Sequence, residues 1–233
     1  MIRINLFCFI ILVCEQFYAQ DTGCQQLVDN SAMEYMGIAS NQSVLYYGKE
    51  QDGFQRTLNH PYLVDIQHTK ARLSYKGVVY PEVMLRLDLF REELIILSPF
   101  FRNIVLVTEN VDFVEMYERR IIYFRKDSLP GCPPSGFYTI LHSGKNKVLE
   151  KQINKLYVND RSEYYYSLAT SFYLFKNDAY HIIRSQRGLL KALGSHNKEL
   201  KRFISVNQLR FRDNTEMFLV KTIKEYEKLS GSL

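Results

Sequence analysis

The most reactive side chain in the sequence is the thiol of Cys132, which lies in a stretch over residues 127–136 with three prolines and two glycines. Proline and glycine can hold a thiol at the apex of a loop, and a distant histidine such as His142 could act as its base. This pattern keeps a cysteine-dependent hydrolase open as the third function that we consider for this chain.

Cys132 could instead form a disulfide with Cys24. In an oxidising compartment, closing a loop of this length would stabilise the folded chain by about 4 to 5 kcal/mol on the chain-entropy model. The sequence leaves two states open, which are a bridge between Cys24 and Cys132 or two unpaired thiols. Their spacing is too wide to indicate a metal site.

Other residues that could do chemistry lack the required arrangement. The carboxylates Glu92 and Glu93, like Asp160 and Glu163, lie in polar turns, whereas glycosidase carboxylates must converge on one cleft. The chain has no nucleophile elbow and no zinc-protease, P-loop or dinucleotide motif. No two histidines have metal-ligand spacing on one predicted element. We therefore predict no catalytic residue, no metal and no cofactor.

A β-sheet must position these side chains, because residues 76–97 alternate in polarity with a period of two. Arg86 and Asp88 lie on one face of this stretch, where we predict a cross-strand surface pair. The opposite face is predicted to point into the core and carries Val83, Leu85, Leu87 and Leu89.

Further strands follow at short intervals without a helical pattern between them. Such spacing favours an antiparallel β-meander, which can curve into a half-barrel, and argues against parallel βαβ units. A first strand is expected over residues 43–47. Later strands are expected over residues 104–108, 113–117, 121–124, 137–142, 147–153, 171–176 and 179–183.

The hydrophobic period changes to that of helices at Ser185, which can cap a short helix that Gly194 would end. Asn197 can open a second helix, and Asp213 or Asn214 can open a third. The predicted fold class is α+β, with an antiparallel β-meander followed by two or three C-terminal helices. Residues 20–233 form one domain in this interpretation, mainly β over 20–184 and helical over 185–233.

The first residues predict a secretory signal peptide over 1–19. Arg3 is followed by an apolar run of about eight residues, which is too short to span a bilayer. The expected cleavage follows Ala19; lipoprotein processing at Cys14 is the alternative. We therefore expect an exported protein of the periplasm or cell envelope, or an extracellular one, with no transmembrane segment in the mature chain.

The net charge of +5 lies entirely in residues 187–233. On the third helix, Lys221, Lys224 and Lys228 are predicted to share one basic face, which could be a solvated surface or could dock on an acidic partner. The partners expected for such a face are an envelope protein or a membrane surface. Nucleic acid is not expected, because no nucleic-acid module is present.

Three passages resemble an uncharacterised family of small secreted Bacteroidota envelope proteins. They are VVYPEVMLRLDLFREELIIL, GFYTILHSGKNKVLEKQ and FYLFKNDAYHIIRSQRGLLKALGSHNKELKRFI. The resemblance covers roughly residues 70–230 and consists of hydrophobic and turn positions. It implies an envelope location and an α+β architecture, and it carries no activity or catalytic residue.

The expected function is that of an exported, non-catalytic envelope protein that acts as a binding or structural component. The alternative is a carrier of a lipid or another hydrophobic ligand in a groove between the sheet and the helices, since a curved sheet crossed by helices can form such a groove.

Overall fold

A computed structural model describes residues 44–53 and 56–231 of the chain. Residues 1–47 and 48–233 form separate units, and the strands and long helices among the described residues belong to the second. The predicted signal peptide, Cys14 and Cys24 lie outside the described residues. The strand expected over 43–47 is wrong at its described positions, because residues 44 and 45 are helical.

Eleven antiparallel strands form one open sheet, with β1 and β11 at its edges. Across the sheet their order is β1-β5-β4-β3-β2-β6-β7-β8-β9-β10-β11, so most neighbours are consecutive in the chain. The bounds are β1 Lys49–Glu50, β2 Thr69–Tyr75, β3 Val78–Asp88, β4 Glu93–Leu97, β5 Asn103–Val105, β6 Val111–Met116, β7 Arg119–Phe124, β8 Gly136–Ser143, β9 Lys147–Val158, β10 Tyr164–Lys176 and β11 Ala179–Ile183.

Three helices follow the last strand: α1 Gln186–Leu193, α2 Asn197–Val206 and α3 Thr215–Leu229. The Ser185 side chain accepts a hydrogen bond from the Gly188 N–H at the start of α1, and Asn214 accepts one from Met217 at the start of α3. Gly194 ends α1 at a positive φ of 78°. The predicted α+β fold, with a meander followed by helices, is confirmed.

The sheet curls upon itself. Four strands separate β3 from β9 in the sheet order, yet the Asn154 N–H on β9 donates to the Leu89 carbonyl just after β3, over 3.0 Å. Glu92, in the same turn, forms an ion pair with Lys151 on β9. The concave face is apolar, as the cross-strand row of buried Leu73, Val114 and Ile121 shows.

Residues 57–68, here called the crossing segment, connect the two sides of the curl. Leu58 donates its N–H to the Tyr164 carbonyl on β10 over 2.8 Å. Further along, Tyr62 forms an isolated antiparallel β-bridge with Asp88 at the end of β3. The crossing segment then passes over the face of β3 that carries Arg86, whose guanidinium donates to the Ile66 carbonyl over 2.8 Å.

The helices pack on the last strands through a second apolar cluster. Leu189 of α1, Leu200 of α2 and Phe218 of α3 are fully buried in it. From the sheet, Val148, Leu174 and Ile183 complete the cluster. Side chains thus fill the described centre of the helix–sheet interface, which is where the alternative function, a carrier of a hydrophobic ligand, placed its groove.

Candidate ligand-binding site

A cavity of about 510 Å³ opens to solvent beside the crossing segment. Its apolar wall includes Leu58, Pro61 and Ile66, and two of these remain exposed at the mouth, Leu58 at 60% and Ile66 at 51%. Thr57, Asn59, His60, Tyr62, Arg86 and Asn103 complete the lining.

Arg86 supplies the positive charge of this cavity. Only 9% of the residue is exposed. Its guanidinium donates to the carbonyl oxygen of Ile66 over 2.8 Å and to the side-chain oxygen of Gln51 over 2.9 Å. Its Cζ atom lies 4.2 Å from the centroid of the Tyr62 ring. Burial lowers the Arg86 pKa below its ordinary value, but a guanidinium keeps its proton in proteins.

Asp88 lies two residues further along the same face of β3 and is fully buried. Its Oδ1 atom accepts hydrogen bonds from the N–H groups of Phe90 (2.8 Å) and Arg91 (2.9 Å), so this carboxylate shapes the turn between β3 and β4. Burial raises the pKa of Asp88, and the hydrogen bonds and nearby arginines oppose that rise. Asp88 does not line the cavity.

Two histidines flank the arginine. His60 lines the cavity and stacks on Tyr62, with the ring centroids 5.9 Å apart. His68 is the last residue of the crossing segment, and its pKa falls to about 4 because burial and the positive charge of Arg86 both disfavour the imidazolium. At neutral pH His68 therefore adds no charge, and Arg86 is the cationic side chain of the cavity lining.

Several buried polar atoms around Arg86 make no hydrogen bond within the described ranges. Most buried polar groups in proteins have a partner, so such a concentration is unusual and marks a place where water, an ion or a ligand is expected. The atoms are His60 Nδ1, His68 Nε2 and Asp88 Oδ2.

The predicted surface pair of Arg86 and Asp88 is wrong, because both residues are buried. The alternation of β3 correctly assigns them to the face opposite Leu85 and Leu87, but that face is covered by the crossing segment. The crossing segment has no periodicity in the sequence. In the sequence, the only sign that the face with Arg86 and Asp88 is also covered was the presence of Met84 and Phe90 on it. This signal was too weak to predict burial.

The structure does not bring Cys132 and His142 together. Cys132 lies in the loop before β8, where its Sγ atom accepts a hydrogen bond from the Asp127 N–H over 3.2 Å, and His142 lies near the far end of that strand. His142 instead contacts Glu227, with 2.8 Å between Nε2 and Oε2. Cys132 forms no disulfide within the described part of the chain, and the pKa of its thiol is raised, chiefly by burial. Both states that the sequence left open, a bridge to Cys24 and two unpaired thiols, stay open because Cys24 lies outside the described residues.

The two acidic pairs considered as glycosidase carboxylates do not converge in the structure. Glu92 turns to Lys151 on β9, whereas Glu93 is the cross-strand neighbour of Asp88. Asp160 and Glu163 are exposed in the turn between β9 and β10, where the Glu163 carboxylate accepts a hydrogen bond from the Asn159 side chain. Neither pair forms a two-carboxylate cleft.

A different carboxylate pair, which the sequence did not reveal, lies under the start of α3. Arg119 on β7 donates to Glu150 on β9 and to both carboxylate oxygens of Glu216 on α3, each over 3.1 Å. Burial, and then the charge of Glu216, raise the pKa of Glu150 to about 7. Arg119 and Glu216 line a shallow opening of about 380 Å³ at the edge of the helix, but Glu150 is buried beneath it.

The predicted basic face on α3 is exposed. Lys221, Lys224 and Lys228 are all exposed, and their spacing of three and four residues places them along one side of the helix.

Among the described residues, no three His, Cys, Asp or Glu side chains are grouped so that they could hold a metal ion. In the same part of the chain, no helix has the length and apolar character needed to cross a membrane.

Comparisons of the chain with protein-family models, curated proteins and solved structures found no match.

Proposed function

We propose that this protein is an exported, non-catalytic binding protein of the cell envelope, and that the cavity beside Arg86 holds a ligand with an apolar part and a negatively charged group. The observation that carries the proposal is the cavity itself, which combines an exposed apolar mouth with a buried guanidinium. Ligand sites in proteins are typically concave, mostly apolar and fixed by a few polar groups.

The size of the cavity suits a small amphiphile. Ligand pockets generally measure about 300 to 1,000 Å³, and the cavity of about 510 Å³ falls within this range. The apolar residues stand at the mouth and wall, while Arg86 lies deeper and is almost buried. A ligand that enters with its charged group first would bring that group to Arg86 and leave its apolar part against the apolar residues of the mouth and wall.

The sign of the ligand charge follows from Arg86. Its guanidinium is the permanent cation of the lining, and charge-assisted hydrogen bonds to carboxylates, sulfonates and phosphates are stronger than those between neutral groups. A cationic ligand would be repelled, because the same charge already lowers the pKa of His68. The proposed ligand class is therefore an anionic amphiphile such as a medium-chain carboxylate.

A carrier of a lipid or another hydrophobic ligand is the second candidate function. The cavity at Arg86 favours it, whereas the described centre of the interface between the helices and the sheet is filled by the cluster around Leu189 and Phe218. A carrier would therefore use the crossing segment and not a groove beneath the helices.

The location and partners are proposed on the sequence alone. Export rests on the predicted signal peptide over residues 1–19 and on the resemblance to secreted Bacteroidota envelope proteins. The exposed lysine face of α3 could dock on an acidic envelope protein or membrane surface. Terminal sequencing of the secreted protein tests the first point, with a mature chain beginning at Gln20 as the expected result.

Two matched dyes test the binding site. Anilinonaphthalene sulfonate carries one negative charge, whereas N-phenylnaphthylamine has the same ring systems without it. We expect both dyes to bind, and Leu58→Trp, which fills the mouth, to weaken both. Arg86→Met should weaken the sulfonate at least about tenfold and the neutral dye less than about twofold. Ile182→Trp, at an exposed site on β11, serves as the control.

Folding of each variant is checked by near-ultraviolet circular dichroism. If Arg86→Met does not fold, Arg86→Lys and Leu58→Trp still test the site, since the first keeps the charge and the second blocks the entrance. Equal binding of the sulfonate by the wild type and by Leu58→Trp would refute the proposed site.

A further inference from the structure

The turn between β4 and β5 presents two adjacent phenylalanines to solvent. Phe100 and Phe101 are each 85% exposed. The turn is closed at its base, where the Ser98 N–H donates to the Arg102 carbonyl over 2.8 Å and the Ser98 hydroxyl accepts from the Arg102 N–H over 3.1 Å. We call residues 98–102 the aromatic tip. Its base is closed by these two hydrogen bonds, and its exposed end is apolar.

The backbone of the aromatic tip also carries an unfavourable conformation. Phe101 has a φ of +59°, in the left-handed region that glycine and asparagine adopt far more readily than bulky residues. One position thus combines an exposed aromatic ring with a strained backbone. Strain of this kind tends to be kept where a side chain is needed for function.

The aromatic tip is continuous with the mouth of the cavity. Asn103, which lines the cavity, follows Arg102 directly. The exposed apolar side chains of Leu58 and Ile66 stand at the same opening. The aromatic tip is therefore joined through Asn103 to the wall of the cavity that Leu58 and Ile66 also line.

We infer that the aromatic tip inserts into the surface of a lipid bilayer and holds the cavity mouth against it. Two phenylalanines can bury only about 300 to 500 Å², whereas a stable protein partner or a second copy of the chain needs roughly 800 Å² from each side. A bilayer needs no complementary pocket, and aromatic rings favour its interface. The bilayer would then supply the anionic amphiphile, a step that rests on the proposed function.

Co-sedimentation with phosphatidylcholine vesicles tests the docking. We expect the wild type to bind these neutral vesicles, with little change when salt is added, and Phe100→Ser/Phe101→Ser to bind at least about tenfold more weakly. The control Ile182→Ser/Val206→Ser removes two exposed apolar side chains elsewhere and should bind like the wild type.

Phe101→Asn sharpens the test. Asparagine tolerates the left-handed conformation, so this variant should unfold at a higher temperature while it binds vesicles more weakly. A purely structural role for Phe101 predicts no loss of vesicle binding.

Three outcomes would overturn the inference. They are no binding of the wild type to phosphatidylcholine, equal binding of the serine double variant, and binding that needs anionic lipid and disappears in Lys221→Gln/Lys224→Gln/Lys228→Gln. Binding of the two dyes without vesicles is measured in parallel. It should be unchanged in the tip variants, so failure of the docking and failure of the cavity can be told apart.

Discussion

The guanidinium of Arg86 lies over the ring of Tyr62, with its Cζ atom 4.2 Å from the ring centroid. Tyr62 is buried, and it forms an isolated β-bridge with Asp88 at the end of β3. The crossing segment is therefore fixed to the sheet at the residue that also supports the charge of the cavity. This contact links the fold of an irregular segment to the proposed binding site.

Two substitutions of Tyr62 should distinguish the contribution of its aromatic ring to stability from that of its hydroxyl. Tyr62→Phe keeps the aromatic face under Arg86, whereas Tyr62→Leu removes it. We expect Tyr62→Leu to lower the free energy of unfolding by about 1 to 2 kcal/mol more than Tyr62→Phe, since a desolvated cation–π contact contributes about this much. Urea unfolding of both variants measures the difference, and equal values would show that the contact is not stabilising.

The pH dependence of stability should contain a contribution from Glu150. Its pKa is about 7 in the folded protein, raised first by burial and then by Glu216, and near 4.5 when unfolded. The folded state thus binds the extra proton between these values. The stabilisation is complete below about pH 4.5 and is lost as the pH rises through 7.

Glu150→Gln should remove this contribution. The difference in unfolding free energy between the wild type and Glu150→Gln should change by up to about 3 kcal/mol between pH 4.5 and pH 8, in favour of the variant at high pH. Glu118→Gln, at an exposed neighbour of Arg119, is the control and should give a constant difference. A constant difference for Glu150→Gln as well would mean that its folded pKa is ordinary.

Glu227 attaches α3 to the turn between β8 and β9. Its buried carboxylate accepts hydrogen bonds from the Asn146 backbone (2.7 Å) and side chain (3.0 Å) and contacts His142 Nε2. Burial alone would raise its pKa, but these hydrogen bonds hold the pKa below its ordinary value. Its stabilisation is therefore present at neutral pH and is lost as the pH falls through that lowered pKa.

Removal of this carboxylate should be costly. We expect Glu227→Ala to lower the free energy of unfolding at pH 7 by about 2 to 4 kcal/mol, because buried donors of Asn146 lose their acceptor. Lys228→Gln, on the exposed face of the same turn, should change it by less than about 0.5 kcal/mol. Chemical unfolding followed by far-ultraviolet circular dichroism provides both values.

Gly144 adds an independent check on the same contact. A Cβ atom at this position would lie 2.5 Å from one Glu227 oxygen, 2.7 Å from the other and 2.7 Å from His142 Nε2. Gly144→Ala should therefore destabilise the protein, and the loss should be smaller when it is combined with Glu227→Ala, since that change removes two of the three close contacts. Additive losses would assign the effect of Gly144 to its contact with His142.

The hydrophobic period and the caps were enough to predict most of the fold. The alternation in β3 correctly placed Leu85 and Leu87 in a core, and Ser185 and Gly194 marked helix ends at the right residues. Of the two candidates for the start of the third helix, Asp213 and Asn214, the cap is Asn214. These features are local, so a short window of sequence contains their cause.

The candidate site could not be predicted in this way. Arg86 is buried by residues of the crossing segment, which has no period of its own, and the pair of Glu150 and Glu216 forms only because α3 folds back on β9. Contacts between distant segments depend on the curl of the sheet and not on any local pattern. For the same reason the expected role of His142 as a base gave way to its contact with Glu227.

Alkylation of Cys132 tests the hydrolase alternative. Burial raises the thiol pKa above its ordinary value, so in a Cys24→Ser variant the rate of reaction with iodoacetamide should keep rising beyond pH 9. A catalytic thiolate would instead react fast at pH 7. In the wild type, resistance of Cys132 to the reagent until a reductant is added would indicate the disulfide with Cys24.

The central claim, that the cavity beside Arg86 binds an anionic amphiphile, is tested most directly by nuclear magnetic resonance of the isotope-labelled protein with decanoate. We predict nuclear Overhauser contacts from the ligand chain to the methyl groups of Leu58 and Ile66, together with a shift of the Arg86 side-chain N–H signals that is absent in Arg86→Met. Saturating decanoate that gives no such contacts, or contacts only to other surfaces, would contradict the claim.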